Sequence, residues 1–160
     1  MPQIIRPTDS EARTLARNLL AQARHGVLAV IDPDTGTPYA ARIAIGQSPE
    51  GQPLTLISEL AQHTRALHAD PTCALLVGEP GPKGDPLTHP RLTLLARAEF
   101  VTRDSDLHAH LARHYLTTHP KSQLYIGFAD FSFALFHPTG AHLNGGFGKA
   151  FRLTTADLTP

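Results

Sequence analysis

The sequence predicts a mainly β, α+β fold in which an antiparallel sheet bends toward a barrel. Three observations lead there. Short apolar runs are divided by turn-forming clusters and not by regularly spaced helices, which favours a meander over βαβ repetition. Helical periodicity is confined to a few segments. Arg91 to Val101, RLTLLARAEFV, is a strand long enough to bend around a barrel. At 160 residues, the chain fits one domain (1–160) with a sizeable core.

Thr8-Asp9-Ser10-Glu11 has the form of a capping box, with Thr8 as the cap and Glu11 reaching back. Ala12, Leu15, Ala16, Leu19, Leu20 and Ala23 then fall on one helical face. The helix should stop near His25-Gly26, where glycine can take the left-handed conformation. Gly26 to Ile31 is a fully apolar strand, Asp32 to Gly36 is a turn, and Tyr39 to Ile45 is the returning strand. Arg42 lies there among small apolar residues. Such a charge needs a partner or a ligand, or else strand alternation turns it to solvent.

Gln47 to Gln52 turns into the stretch Leu54 to Leu67, LTLISELAQHTRAL. Its first half reads as a short buried strand ending at Ser58, and its second half, from His63 to Ala69, as a helix. Ser58, His63, Thr64 and Arg65 thus gather where a strand hands over to a helix. Helix starts offer unpaired N–H groups and a partial positive charge, so the place suits a phosphate. The plain alternative is that Thr64 caps the helix and Arg65 is solvated.

Thr72 to Val77 is a third apolar strand, and Glu79 to Pro90 is a long loop rich in Pro and Gly, of the kind that often borders a site. After Arg91 to Val101, a second long helix starts at Asp104-Ser105-Asp106 and runs to about His119. His110 and His114 are four apart on it, but no carboxylate lies within a turn to complete a metal site, so a solvated face is expected. Phe131 to Phe136 alternates as a strand, His137 to Gly140 turns, and Ala141 to Asn144 is a short strand. Gly145 to Ala150, GGFGKA, has the wrong spacing for a dinucleotide fingerprint. A bend in a strand, or close approach to a flat ligand or a neighbouring chain, remains open.

Several classes drop out. Fourteen basic residues balance fourteen acidic ones with no basic run, which argues against nucleic-acid binding. The single cysteine, Cys73, excludes an internal disulfide framework and reads as a buried, inert thiol. No apolar run reaches membrane-spanning length, and the N-terminus lacks a signal pattern, so the expectation is a soluble, cytoplasmic protein. Nucleophile elbows, HExxH and paired carboxylates are missing. With so little catalytic equipment, a bound cofactor would have to carry any chemistry.

ARHGVLAV (Ala23 to Val30), PYAARIA (Pro38 to Ala44), LISELAQHTRAL (Leu56 to Leu67), ADP (Ala69 to Pro71), DPLTHPRLTLLARAE (Asp85 to Glu99), FADFSFALFHP (Phe128 to Pro138) and AHLNGGFGKA (Ala141 to Ala150) stand in an order that resembles one family. The chain is similar to the pyridoxamine 5′-phosphate oxidase-like FMN-binding split barrels, and most so to their haem-utilisation (HugZ-type) branch. The resemblance implies a six-stranded antiparallel split β-barrel with flanking helices, paired as a homodimer with the ligand at the subunit interface. It implies FMN as cofactor, haem as the alternative, and an FMN-dependent oxidoreductase acting on a small-molecule substrate; the alternatives are a haem-binding or haem-degrading protein of the HugZ type and a non-catalytic flavin-binding module. Arg42, Ser58, His63, Thr64 and Arg65 match the phosphate-holding positions, with Thr93 and Lys149 as further cofactor contacts. The flavin ring would lie along Leu56 to Ser58. A haem would take one of the ten histidines, His142 or His63 first. The C-terminal substrate residues of the oxidases have no counterpart here, and the sequence stops at Pro160, where the haem branch carries a further domain or tail. Neither that specific oxidation nor haem degradation is therefore the first expectation.

Overall fold

A computed structural model describes residues 4–159. In chain order the elements are β1 (Ile5–Arg6), α1 (Ser10–Gln22), β2 (His25–Ile31), β3 (Pro38–Ala44), β4 (Gly46–Gln47), β5 (Pro53–Ser58), α2 (Gln62–Ala69), β6 (Thr72–Val77), β7 (Arg91–Phe100), α3 (Asp106–Thr118), β8 (Phe131–Asn144), β9 (Ala150–Leu153) and α4 (Thr155–Leu158), with 3-10 turns at Pro86–Thr88 and Pro120–Leu124. The described strands form one sheet of nine, not six. The six longer strands β2, β3, β5, β6, β7 and β8 make the frame, and the short β1, β4 and β9 extend it. The main path runs β1-β9-β8-β7-β6-β2-β3, with β5 pairing the first part of β8 on the edge that β9 takes further along. Every pairing is antiparallel except β1 with β9.

The sheet curls but does not close. β3 and β5 face one another without a backbone ladder, and Thr55 bridges them by donating from Oγ1 to the Ala44 carbonyl at 2.6 Å. This is the split of a split barrel. Inside the curl, the row Ala41–Leu28–Leu75–Leu94–Ala141–Leu153 crosses six strands. Leu28, Leu75 and Leu94 are fully buried there. Helix α1 adds Ala12 and Ala16 to this core, and α2 adds Ala66 and Leu67. A second core lies beyond β5, where Leu54, Leu56, Phe133 and Leu135 meet Leu111 and Tyr115 of α3. With apolar layers on both sides, β5 is buried without alternation from Pro53 to Ile57.

Several expectations need correction. Asp9, not Thr8, caps α1 by accepting from the Ala12 N–H, while Thr8 Oγ1 donates to the Arg152 carbonyl. The helix ends at Gln22, and Gly26 lies within β2, where a Cβ would come within 2.6 Å of the Leu76 carbonyl oxygen. Close strand packing, not a left-handed stop, requires that glycine. β2 is the apolar strand expected, with Val27 and Ile31 exposed on one face. His137 to Gly140 does not turn: β8 runs through it, and a bulge accommodates the extra residue, with Leu95 opposite Gly140 and Ala96 opposite Pro138. β5 flanks β8 up to Leu135 and β9 from Ala141, so Pro138, which has no N–H, falls where one side of β8 carries no ladder. GGFGKA is the turn between β8 and β9, with positive φ at Gly146 and Gly148.

Candidate functional site

The split places side chains of β3 and β5 around a hollow of about 250 Å³, lined by Arg42, Ser58, Ala61, His63, Tyr125 and Phe131, with further backbone and apolar wall from the two strands. Larger hollows exist elsewhere, but this one coincides with the strand-to-helix corner.

The corner is held by its own hydrogen bonds. Ser58 Oγ donates to Asp130 Oδ2 at 2.6 Å and accepts from the Leu60 N–H. The Asp130 carbonyl takes the Glu59 N–H. Thr64, fully buried, donates from its hydroxyl to the Ser58 carbonyl at 2.6 Å. It therefore lies inside α2 as a tie to the strand. The N-cap is Ala61, which supplies no side-chain cap. Consequently the N–H groups of Gln62 and His63 find no acceptor among the described residues. Two free donors and the helix dipole thus stand at a hollow that Arg42 also lines, a set of groups suited to an anion. Half-burial pulls the His63 imidazole below its ordinary value, so it stands in its neutral form at pH 7.

The expected site residues divide. Arg42, Ser58 and His63 line one hollow, and Thr64 braces its floor. Arg65 points elsewhere: its two terminal nitrogens donate to Asp34 at 2.7 Å each. Thr93 stands on the outer face of β7, between Leu76 and His142. Lys149 borders a separate hollow with Arg6, Asp9 and Glu11 beside the start of α1. Arg42 is both exposed and on the pocket wall, so the two readings of its charge are compatible. Sequence reasoning missed Tyr125 and Phe131, which pack with ring centroids 4.8 Å apart to wall the hollow, and Asp130, which fixes Ser58. The FADF stretch carried part of that signal.

The outer face of the same sheet is partly apolar. One cross-strand row runs Arg42–Val27–Leu76–Thr93–His142–Arg152. Val27, Leu76 and Leu95 on this face are 36–42% exposed. Arg42 begins this row and also lines the hollow, so the hollow opens at the edge of the apolar face. Among the described residues, no group of three or more His, Cys, Asp or Glu could hold a metal ion, and no helix is long and apolar enough to cross a membrane.

An unclosed antiparallel sheet with a hollow at its opening defines a split-barrel fold. Residues 12–143 match the family described as Pyridoxamine 5′-phosphate oxidase, and the chain belongs to that family. It is 29% identical over 116 residues to the chloroplastic heme oxygenase HOZ of Arabidopsis thaliana, a match covering 72% of this chain and 34% of the plant protein. A crystal structure of a protein of unknown function from Agrobacterium tumefaciens shares 33% identity at a TM-score of 0.82, covering 100% of this chain and 66% of that one. A heme binding protein from Mycobacterium smegmatis shares 28% identity at a TM-score of 0.83, covering 97% of this chain and 61% of that one. The chain thus spans about a third of the curated plant relative.

Proposed function

We propose that the protein is an FMN-binding flavoprotein of the oxidoreductase type, working as a homodimer with the ligand at the subunit interface. The observation that carries this is the corner in the split: free N–H groups at Gln62 and His63 beside Arg42, next to a wall of Leu56, Tyr125 and Phe131. A phosphate monoester joined to a flat apolar ring system matches that pairing. Arg42 and the helix start would hold the phosphate. Ser58 and Thr64 would keep the corner in shape, because their hydroxyl protons are committed to Asp130 and to the Ser58 carbonyl. When bound, FMN supplies electron transfer, and the protein orients it and excludes water. The apolar outer face supports a second copy docking there, and Thr93 lies on that face.

Haem is the second reading. The names of the plant and mycobacterial relatives favour it, as does His142, which stands on the exposed face beside Thr93 where a planar apolar ring could lie. Titration with FMN, riboflavin and haem separates the readings. FMN should bind with a shifted flavin absorbance and riboflavin more weakly, and Arg42→Ala should abolish most of that preference. A Soret shift that His142→Ala removes, with no response to FMN, would replace the flavin reading with the haem one.

A further inference from the structure

Arg65 lies one helical turn beyond Ala61, which lines the hollow, yet its guanidinium is outside it. Side chains of a helix lean toward its N-terminus and cover the preceding turn. The stem of Arg65 is therefore rooted on the side from which the free N–H groups of Gln62 and His63 can be reached. Asp34 holds it away, accepting from both terminal nitrogens at 2.7 Å. Asp34 belongs to the turn between β2 and β3. Asp32 shapes that turn, taking the Asp34 N–H on Oδ1 and Gln62 Nε2 on Oδ2 at 3.1 Å. The turn thus grips α2 at two points, Gln62 and Arg65.

The grip on Arg65 is weak by its setting. Both side chains are well exposed, at 64% and 59%, where an ion pair contributes little. A phosphate monoester at the helix start carries more charge than a carboxylate and presents more acceptor oxygens to the same planar fork.

We propose that Asp34 is an affinity-determining residue of the cofactor corner, withholding Arg65 from the hollow until a phosphate monoester bound at the start of α2 takes it over. This inference rests on the reading of the corner as a phosphate site. Asp34 then sets how strongly the site discriminates phosphorylated from unphosphorylated ligands, without touching the ligand itself.

The test is FMN and riboflavin titration of the full chain with Asp34→Asn, Asp34→Ala, Arg65→Ala and the Asp34→Asn/Arg65→Ala double variant, each first checked for native circular dichroism. Freed from an exposed ion pair, Arg65 should raise FMN affinity about two- to fivefold in either Asp34 variant. Riboflavin affinity should not move, and Arg65→Ala should erase the gain. An unchanged or weakened FMN affinity in both Asp34 variants, or a gain that survives Arg65→Ala, overturns the inference while leaving the phosphate site standing. A wild-type chain that ignores FMN removes the phosphate site, and the inference with it.

Discussion

Two neighbouring rows of the same sheet have opposite fates. Ala41–Leu28–Leu75–Leu94–Ala141–Leu153 points into the curl and is sealed by α1 and by its own curvature. One residue along each strand, Arg42–Val27–Leu76–Thr93–His142–Arg152 points out, with Leu76 at 42% exposure while Leu75 has none. Antiparallel sheets ordinarily turn one polar face to water. Here the outward row sets exposed Val27 and Leu76 beside Thr93 and His142, with an arginine at each end, so this face is only partly polar. The fold of a single chain accounts for the inner row alone. Under the proposed function the outer row meets a second copy, and Arg42 stands both in that row and on the wall of the hollow.

The contrast can be broken most strongly from the inside. Leu94→Ala should cost about 2–5 kcal/mol in urea unfolding, as a cavity in a filled core. Leu76→Ala, one register step away, should cost about 0.5 kcal/mol or less at concentrations low enough to keep the chain monomeric. Equal losses would mean that the outer row packs as the core does. Next comes the split. Thr55→Val keeps shape but leaves the half-buried Ala44 carbonyl without its donor, and should cost about 1 kcal/mol by the same measurement. A neutral result would mean that the bridge between β3 and β5 contributes nothing.

Smaller effects sharpen the picture. Burial pushes the Cys73 thiol up to about 11, so at pH 8 the folded chain should react with iodoacetamide far more slowly than the unfolded chain. Rapid native labelling would mean that the core around Cys73 opens readily. Burial also pulls His63 below its ordinary value. The unfolded chain therefore takes up that proton first, and the stability tied to the neutral ring is present above about pH 6.5 and shrinks as pH falls toward the folded value. His63→Gln should reduce the loss of urea midpoint between pH 7 and pH 5.5. An unchanged loss would assign it to other histidines.

Much of the sheet was legible because strands buried on one or both faces print their periods into sequence. Leu54 to Ser58 and Thr72 to Val77 were found close to their bounds on that ground. His137 to Gly140 was misread because Pro and Gly signal turns locally, while a bulge and a missing neighbour are properties of the assembled sheet. The corner was visible as a set of polar residues at a strand-to-helix junction, and Arg42, Ser58 and His63 do meet there. Its internal bonding was not visible. Ser58 finds Asp130 and Arg65 finds Asp34 across loops whose paths no local pattern specifies. Thr93 and Lys149 lie away from the hollow within one chain, and Thr93 reaches a ligand under this account only from a second copy.

That dependence is tested most directly by Leu76→Arg, with sedimentation velocity and FMN titration run on the same sample. A charge at the centre of the outer row should turn a dimeric wild type into a folded monomer and weaken FMN binding along with it. A wild type that is monomeric yet binds FMN, or a monomeric variant that binds FMN as tightly as the wild type, would contradict a site completed by two chains.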